Sequence, residues 1–143
     1  MLIDELVMLR GDGSSPRVDA TEDGSTSLTR DAGTGKAVVQ INKTPKKGIP
    51  IVVVHDADTN SPTSNDREIV VTIEAADELD FNVTDELVAT FPAVTFGASA
   101  GLMVRRIHTD KKYIRSVLTA SGSNNTISVD FLIFAGIGLM NRG

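Results

Sequence analysis

After Lys36 the chain alternates apolar and polar residues in short runs closed by Pro, Gly, Asn and Asp. In residues 68–75, Ile69, Val71, Ile73 and Ala75 fall on one side and Glu68, Val70, Thr72 and Glu74 on the other, the two-residue period of a half-buried antiparallel strand. Residues 113–121 repeat it, with Ile114, Ser116, Leu118 and Ala120 on one face and Tyr113, Arg115, Val117 and Thr119 on the other. In residues 126–135, Ile127, Val129, Phe131, Ile133 and Ala135 point inward and Ser128 and Asp130 outward. These last two runs, joined by the turn SGSNN, predict a hairpin. Further strands are predicted in KAVVQIN, in IVVVH, at Leu87, Ala89 and Phe91, which repeat the two-residue period until Pro92, and in GLMVRRI. A helical apolar stripe is suggested only at the N-terminus and in a turn around residues 84–89, and no segment repeats. About eight β-rich runs at this spacing predict an all-β fold, an antiparallel β-sandwich or jelly roll.

A chain of 143 residues suits one domain. It divides into an apolar N-terminal arm (1–9), a loop-rich lead-in (10–35) and a β-sandwich core (36–143). In the arm Leu2, Leu6 and Leu9 sit at helical spacing, while Ile3, Val7 and Leu9 alternate imperfectly with polar positions. Docking on a neighbouring subunit and packing on the chain's own sheet both fit it. The lead-in is crowded with Gly, Ser, Thr and Asp, which favour turns and compete with the backbone for hydrogen bonds. It is expected to be mostly loop, with one short strand at residues 26–30.

The chain has no cysteine, which removes disulfides, thiolate metal sites and thiol nucleophiles. Its longest apolar run, FLIFAGIGLM, is half the roughly 20 residues of a membrane span, and MLIDELVML lacks the basic start of a secretory signal, so an intracellular product is expected. GTGK at residues 33–36 fails as a phosphate loop, because Arg30 replaces its first glycine and Ala37 its Ser/Thr. Asp56, Asp58 and Asn60 begin a calcium-loop spacing, yet Ser61 and Arg67 occupy the positions that need a glycine and a bidentate acid. His55 and His108 are far apart with no third ligand beside them, and GASAG at 97–101 has the spacing of a nucleophile elbow without a strand–helix unit around it. No catalytic, cofactor-binding or metal-binding residue is assigned, and the chain is expected not to be an enzyme.

Charge is unevenly spread. Between residues 56 and 86 ten acids meet one base, Arg67, whereas Arg105, Arg106, Lys111, Lys112 and Arg115 meet only Asp110. Either the two clusters pair partly within the monomer, or they serve complementary docking on a second molecule. A net charge of −5 and a single tyrosine in the basic cluster argue against direct nucleic-acid binding. The absence of Trp argues against a sugar-stacking platform.

From DAGTGKAVVQIN through EIVVTIEAADELDF and LVATFPAVTFGASAGLMVRRI to KKYIRSVLTASGSNNTISVDFLIFAG, the chain resembles the jelly-roll capsid cement, or decoration, proteins of short-tailed bacteriophages. The resemblance implies a non-enzymatic structural virion protein, made in the host cytoplasm, that binds the outer surface of the capsid and stabilises contacts between major capsid protein subunits. It implies self-association, a homodimer before a homotrimer, with no cofactor, no direct nucleic acid and no membrane. On this reading the arm residues Leu2, Ile3, Leu6, Val7 and Leu9 dock on a neighbour. Arg105, Arg106, Lys111, Lys112 and Arg115, with Asp77, Glu78 and Asp80, supply polar interface contacts. The alternative is a β-sandwich carbohydrate- or receptor-binding module of a virion or surface complex.

Overall fold

The computed structural model describes residues 8–10, 17–20, 24–27, 38–41, 44, 46–58, 66–82, 85–122 and 126–136. Every regular element among them is a strand: β1 (Met8–Arg10), β2 (Arg17–Ala20), β3 (Gly24–Ser27), β4 (Val38–Gln40), β5 (Ile49–His55), β6 (Glu68–Ala76), β7 (Glu86–Thr90), β8 (Val94–Thr95), β9 (Gly101–Ile107), β10 (Tyr113–Ser121) and β11 (Ile127–Ala135). Branched aliphatic residues fill the longer strands, and such side chains pack well on a pleated surface.

The strands form two antiparallel sheets. In the first the order is β1-β11-β5-β9, with β2 also on β11; in the second it is β3-β10-β6-β7, with β4 on β10 and β8 on β6. The short strands share edges: β1 and β2 pair with successive parts of β11, β3 and β4 with β10, and β7 and β8 with β6. The eleven strands therefore lie on eight lines, and the chain changes sheet at every step between lines except the β6–β7 reversal. This is a jelly-roll β-sandwich.

The alternating stripes meet between the sheets. Ile51, Val53, Ile127, Val129 and Ile133 of the first sheet pack against Ile69, Val71, Ile73, Ile114 and Leu118 of the second, in one continuous core. Ser116 lies on the same inward stripe, fully buried, and its hydroxyl donates to the Leu9 carbonyl at 3.5 Å.

The structure changes four sequence readings. The predicted β10–β11 hairpin is a crossover. β10 is flanked by β6 and by β3 and β4, while β11 is flanked by β5 and by β1 and β2, so the two strands lie in opposite sheets. Turn composition shows that the chain reverses; it does not show whether the next strand pairs or steps the ~10 Å to the facing sheet. Gly122 makes that step with φ +116 and with the Asp66 carbonyl 2.6 Å from where a Cβ would stand, so only glycine fits without backbone movement.

The lead-in is also more regular than its composition suggests, because β2 and β3 are held by the ladders of β11 and β10. It holds two strands where one was expected, and the second, Gly24–Ser27, begins two residues before the expected position. Leu87 does not share the face of Ala89: a register shift between Ile73 and Glu74 sets Leu87 opposite Glu74, where it is 64% exposed. Finally, Leu9 is no docking residue, because β1 pairs with β11 and buries its side chain completely in the chain's own core. Leu2, Ile3, Leu6 and Val7 lie outside the described residues, as do GTGK and Asn60.

Candidate functional site

One part of the acidic cluster, residues 77–80, meets the basic cluster at one end of the sandwich. The turn at 46–48 enters β5, residues 77–82 leave β6 and residues 108–112 lead into β10; the register of β5 with β9 and of β10 with β6 brings these segments together. Backbone and hydroxyl bonds fix them. Thr44 N–H donates to the Thr109 carbonyl at 3.0 Å, the Thr109 N–H donates to Thr44 Oγ1 at 3.1 Å, and Ile41 N–H donates to the Lys112 carbonyl at 2.8 Å. Phe81, at φ 55, folds residues 77–82 back so that its ring packs with Val38, Ala76 and Tyr113 on the outer face of the second sheet.

Among the predicted interface residues, Arg105, Arg106, Lys112, Asp77 and Asp80 are exposed, and Lys111 and Glu78 are half-buried. Lys111 reaches Asp77 at 3.4 Å, which joins the basic and acidic clusters within the monomer. Arg106 Nη1 donates to the Lys47 carbonyl at 3.0 Å, Asp80 Oδ1 accepts from the Asn82 N–H, and the Lys112 ammonium stands 5.4 Å from the Tyr113 ring centre. Leu79, 40% exposed, lies among these charges.

Arg115 departs from the interface reading. Its side chain is only 13% exposed, and its Nη2 and Nε lie 2.7 and 2.8 Å from Glu74 Oε2. Asp85 approaches it at 3.9 Å, and its guanidinium lies 4.3 Å from the Phe81 ring centre. The guanidinium is committed inside the fold, because a planar cation can bond a carboxylate and stack on a ring together. Glu74 and Asp85 were not singled out from the sequence. A glutamate on the polar face of an alternating strand reads as solvated until the neighbouring strand's register is known.

At the opposite end the acids of the partial calcium spacing serve as backbone clamps. Asp58, 9% exposed, accepts from Ser128 N–H at 3.1 Å through Oδ1 and from Gly97 N–H at 3.4 Å through Oδ2. Asp56 Oδ1 accepts from Asp130 N–H at 2.7 Å, prolonging the β5–β11 pairing past His55. Among the described residues no group of three His, Cys, Asp or Glu is placed to hold a metal ion. The GASAG segment enters β9 directly: Gly97 lies in a turn and Gly101 begins the strand, where its missing side chain admits the His55 ring.

A second surface, unmarked in the sequence reading, is the outer face of the first sheet. Cross-strand register aligns Leu132, Val54 and Leu102 in one row and Phe134, Val52 and Val104 in the next. Leu102 is 65% and Val104 53% exposed, while Val52 and Phe134 are buried against Val54 and Leu132. The signal was present: IVVVH and GLMV are apolar at both parities, which is what a strand covered on both faces shows.

No protein-family model matches the chain, and no curated protein matches it. Among solved structures it is similar to the CBM22-1–GH10 modules of Clostridium thermocellum endo-1,4-β-D-xylanase 10B complexed with xylohexaose. The identity is 9% and the TM-score 0.37, over 91% of this chain and 27% of that chain. The chain therefore spans about a quarter of that protein's chain, and a likeness at this score carries no functional argument.

Proposed function

We propose that the chain is a non-enzymatic structural protein of a bacteriophage virion, which binds the outside of the capsid and cements contacts between major capsid protein subunits. The observation that carries this reading over a carbohydrate-binding module is where the aromatic rings lie. All six aromatic residues are among those described: Phe81, Phe91, Phe131 and Phe134 are buried, and Phe96 and Tyr113 are half-buried. Sugar faces stack on exposed rings, and this surface presents none. It offers instead a mixed-charge end with Leu79 among Asp77, Asp80, Lys111 and Lys112, the composition of a protein-facing rim. On a lattice, many modest contacts of this kind add through effective concentration.

Co-sedimentation with decoration-stripped capsids of the source phage, across a salt series, tests the proposal. Saturation at a fixed ratio to the major capsid protein, with greater resistance of the shell to heat, is the expected result. Binding that weakens with salt assigns the contacts to the charged end. Since Leu9 belongs to the core, the contribution of the arm is tested by deleting residues 1–7 rather than 1–9. Absence of binding at every salt overturns the reading and directs the search to glycans.

A further inference from the structure

We propose that the edge of β9 facing away from β5 is a strand-addition site for an extended segment of a different protein, one in which two acidic residues precede β-branched residues. Such a site is a property of the free protein, apart from capsid binding. The hydrogen-bonding parity of β5 defines that edge. Asp56 N–H donates to the Asp130 carbonyl and the Pro50 carbonyl accepts from Gly136 N–H, so the even-numbered residues here turn their backbone groups toward β11. The odd-numbered ones, Ile49, Ile51, Val53 and His55, turn toward β9, where they face Ile107, Arg105, Met103 and Gly101. The N–H and C=O groups of Leu102, Val104 and Arg106 therefore point away from β5, and among the described residues no strand pairs with them.

Proteins protect sheet edges by shortening, bulging or interrupting the edge strand. β1, β2, β3, β4 and β8 have only two to four residues each, and β7 carries a register shift and is followed by Pro92. β9 has seven residues in unbroken register and no proline, with Leu102 and Val104 65% and 53% exposed. Charge selects the occupant. Arg105 and Arg106 are exposed, and Arg105 makes no hydrogen bond or ion pair with a described residue. Lys46 and Lys47 are exposed in the turn beside this end, and the Lys47 carbonyl holds the Arg106 guanidinium. A second β9 laid antiparallel on this edge would gather four arginines in one ladder with no acid. A foreign segment running antiparallel to β9 meets Arg106 and Arg105 first, then Val104, Met103 and Leu102. Two acids followed by β-branched residues complement that order position by position. Main-chain bonds give such a site its affinity, and the side-chain positions give it its choice.

Amide chemical-shift titration of the full-length protein with the peptide acetyl-Ser-Glu-Glu-Val-Thr-Val-Ser-amide tests the proposal. Saturable shifts centred on Leu102, Val104 and Arg106 are expected, with a dissociation constant of about 1 mM or tighter. Lysine in place of both peptide glutamates should weaken binding about tenfold or more, and salt should weaken the glutamate peptide. Val104→Pro removes one outward N–H and spares the β5 ladder, so it should abolish binding while the far-ultraviolet circular dichroism is retained. N-methylation of alternate peptide amides separates strand pairing from charge attraction alone. Methylation along one edge of the peptide should abolish binding, and along the other should leave it unchanged. Absence of shifts at millimolar peptide, shifts centred elsewhere, or equal binding by the two methylated peptides overturns the proposal. Equal binding by the lysine peptide overturns the acidic partner. Shifts of the same amides on raising the protein concentration alone assign the edge to a second copy and overturn the proposal as well.

Discussion

Arg115 of β10 and Glu74 of β6 face each other across the second sheet, with two guanidinium nitrogens converging on one carboxylate oxygen at 2.7 and 2.8 Å. The ladder register creates this pair, and the Phe81 ring beneath the guanidinium limits its freedom. Charge-assisted bonds of this kind contribute more than neutral ones, and both side chains are largely withdrawn from solvent. Arg115→Ala is therefore expected to destabilise the protein by roughly 1.5–3 kcal/mol. Arg115→Lys should recover less than half of that, because an ammonium cannot bond Glu74 and cover the ring with one plane. Denaturant titration of the three proteins measures both values, and a lysine variant as stable as wild type would refute the stacking argument.

Asp85 makes the same locus sensitive to pH. Burial raises its carboxyl above the ordinary 3.8, the Glu74 charge adds to the rise, and Arg115 opposes it. A carboxyl raised in the folded state contributes stability that is full below its unfolded value and lost as pH rises through its folded value. Asp85 thus weakens the fold at neutral pH. Asp85→Asn is expected to raise the thermal midpoint at pH 7, and its advantage should vanish as pH falls toward 3.8. A lower midpoint at pH 7 for the variant would reverse the sign assigned here.

Asp58 predicts a different outcome for a carboxylate. Its two oxygens hold amides from β11 and from the turn before β9, so Asp58→Ala leaves two donors without their acceptor. A loss of roughly 3 kcal/mol or more is expected from two charge-assisted bonds. With both oxygens occupied in this way, millimolar calcium should leave the wild-type thermal midpoint unchanged. A rise of several degrees on adding calcium would identify the loop as a metal site.

Two leucines separate local pattern from packing. Leu9 is fully buried and Leu87 is 64% exposed. Leu9→Ala should cost about 2–5 kcal/mol, the range for a leucine truncated in a core. Leu87→Ala should stay within about 0.5 kcal/mol of wild type, as an exposed truncation does. Equal costs would contradict the register shift that turns Leu87 outward.

The sequence by itself determined the fold class and the inward face of the long strands. The alternation of Ile69, Val71, Ile73 and Ala75, and that of Ile127, Val129, Phe131 and Ile133, carries through to complete or nearly complete burial, since a period of two leaves a strand only one way to hide its apolar side. Tertiary structure alone decided which strands pair. SGSNN specifies a reversal, and only the occupied edges of β10 and β11 make it a crossover between sheets. It also decided what each polar residue does. Arg115 belongs to a basic cluster in sequence and to Glu74 in space, and Asp58 has the spacing of a metal ligand and the contacts of a backbone clamp. Leu9 lies in an arm by composition and in the core by its pairing with β11. Periodicity is a local property set by backbone geometry, whereas partners come from ladders that join residues distant in the chain, and no local pattern encodes that choice.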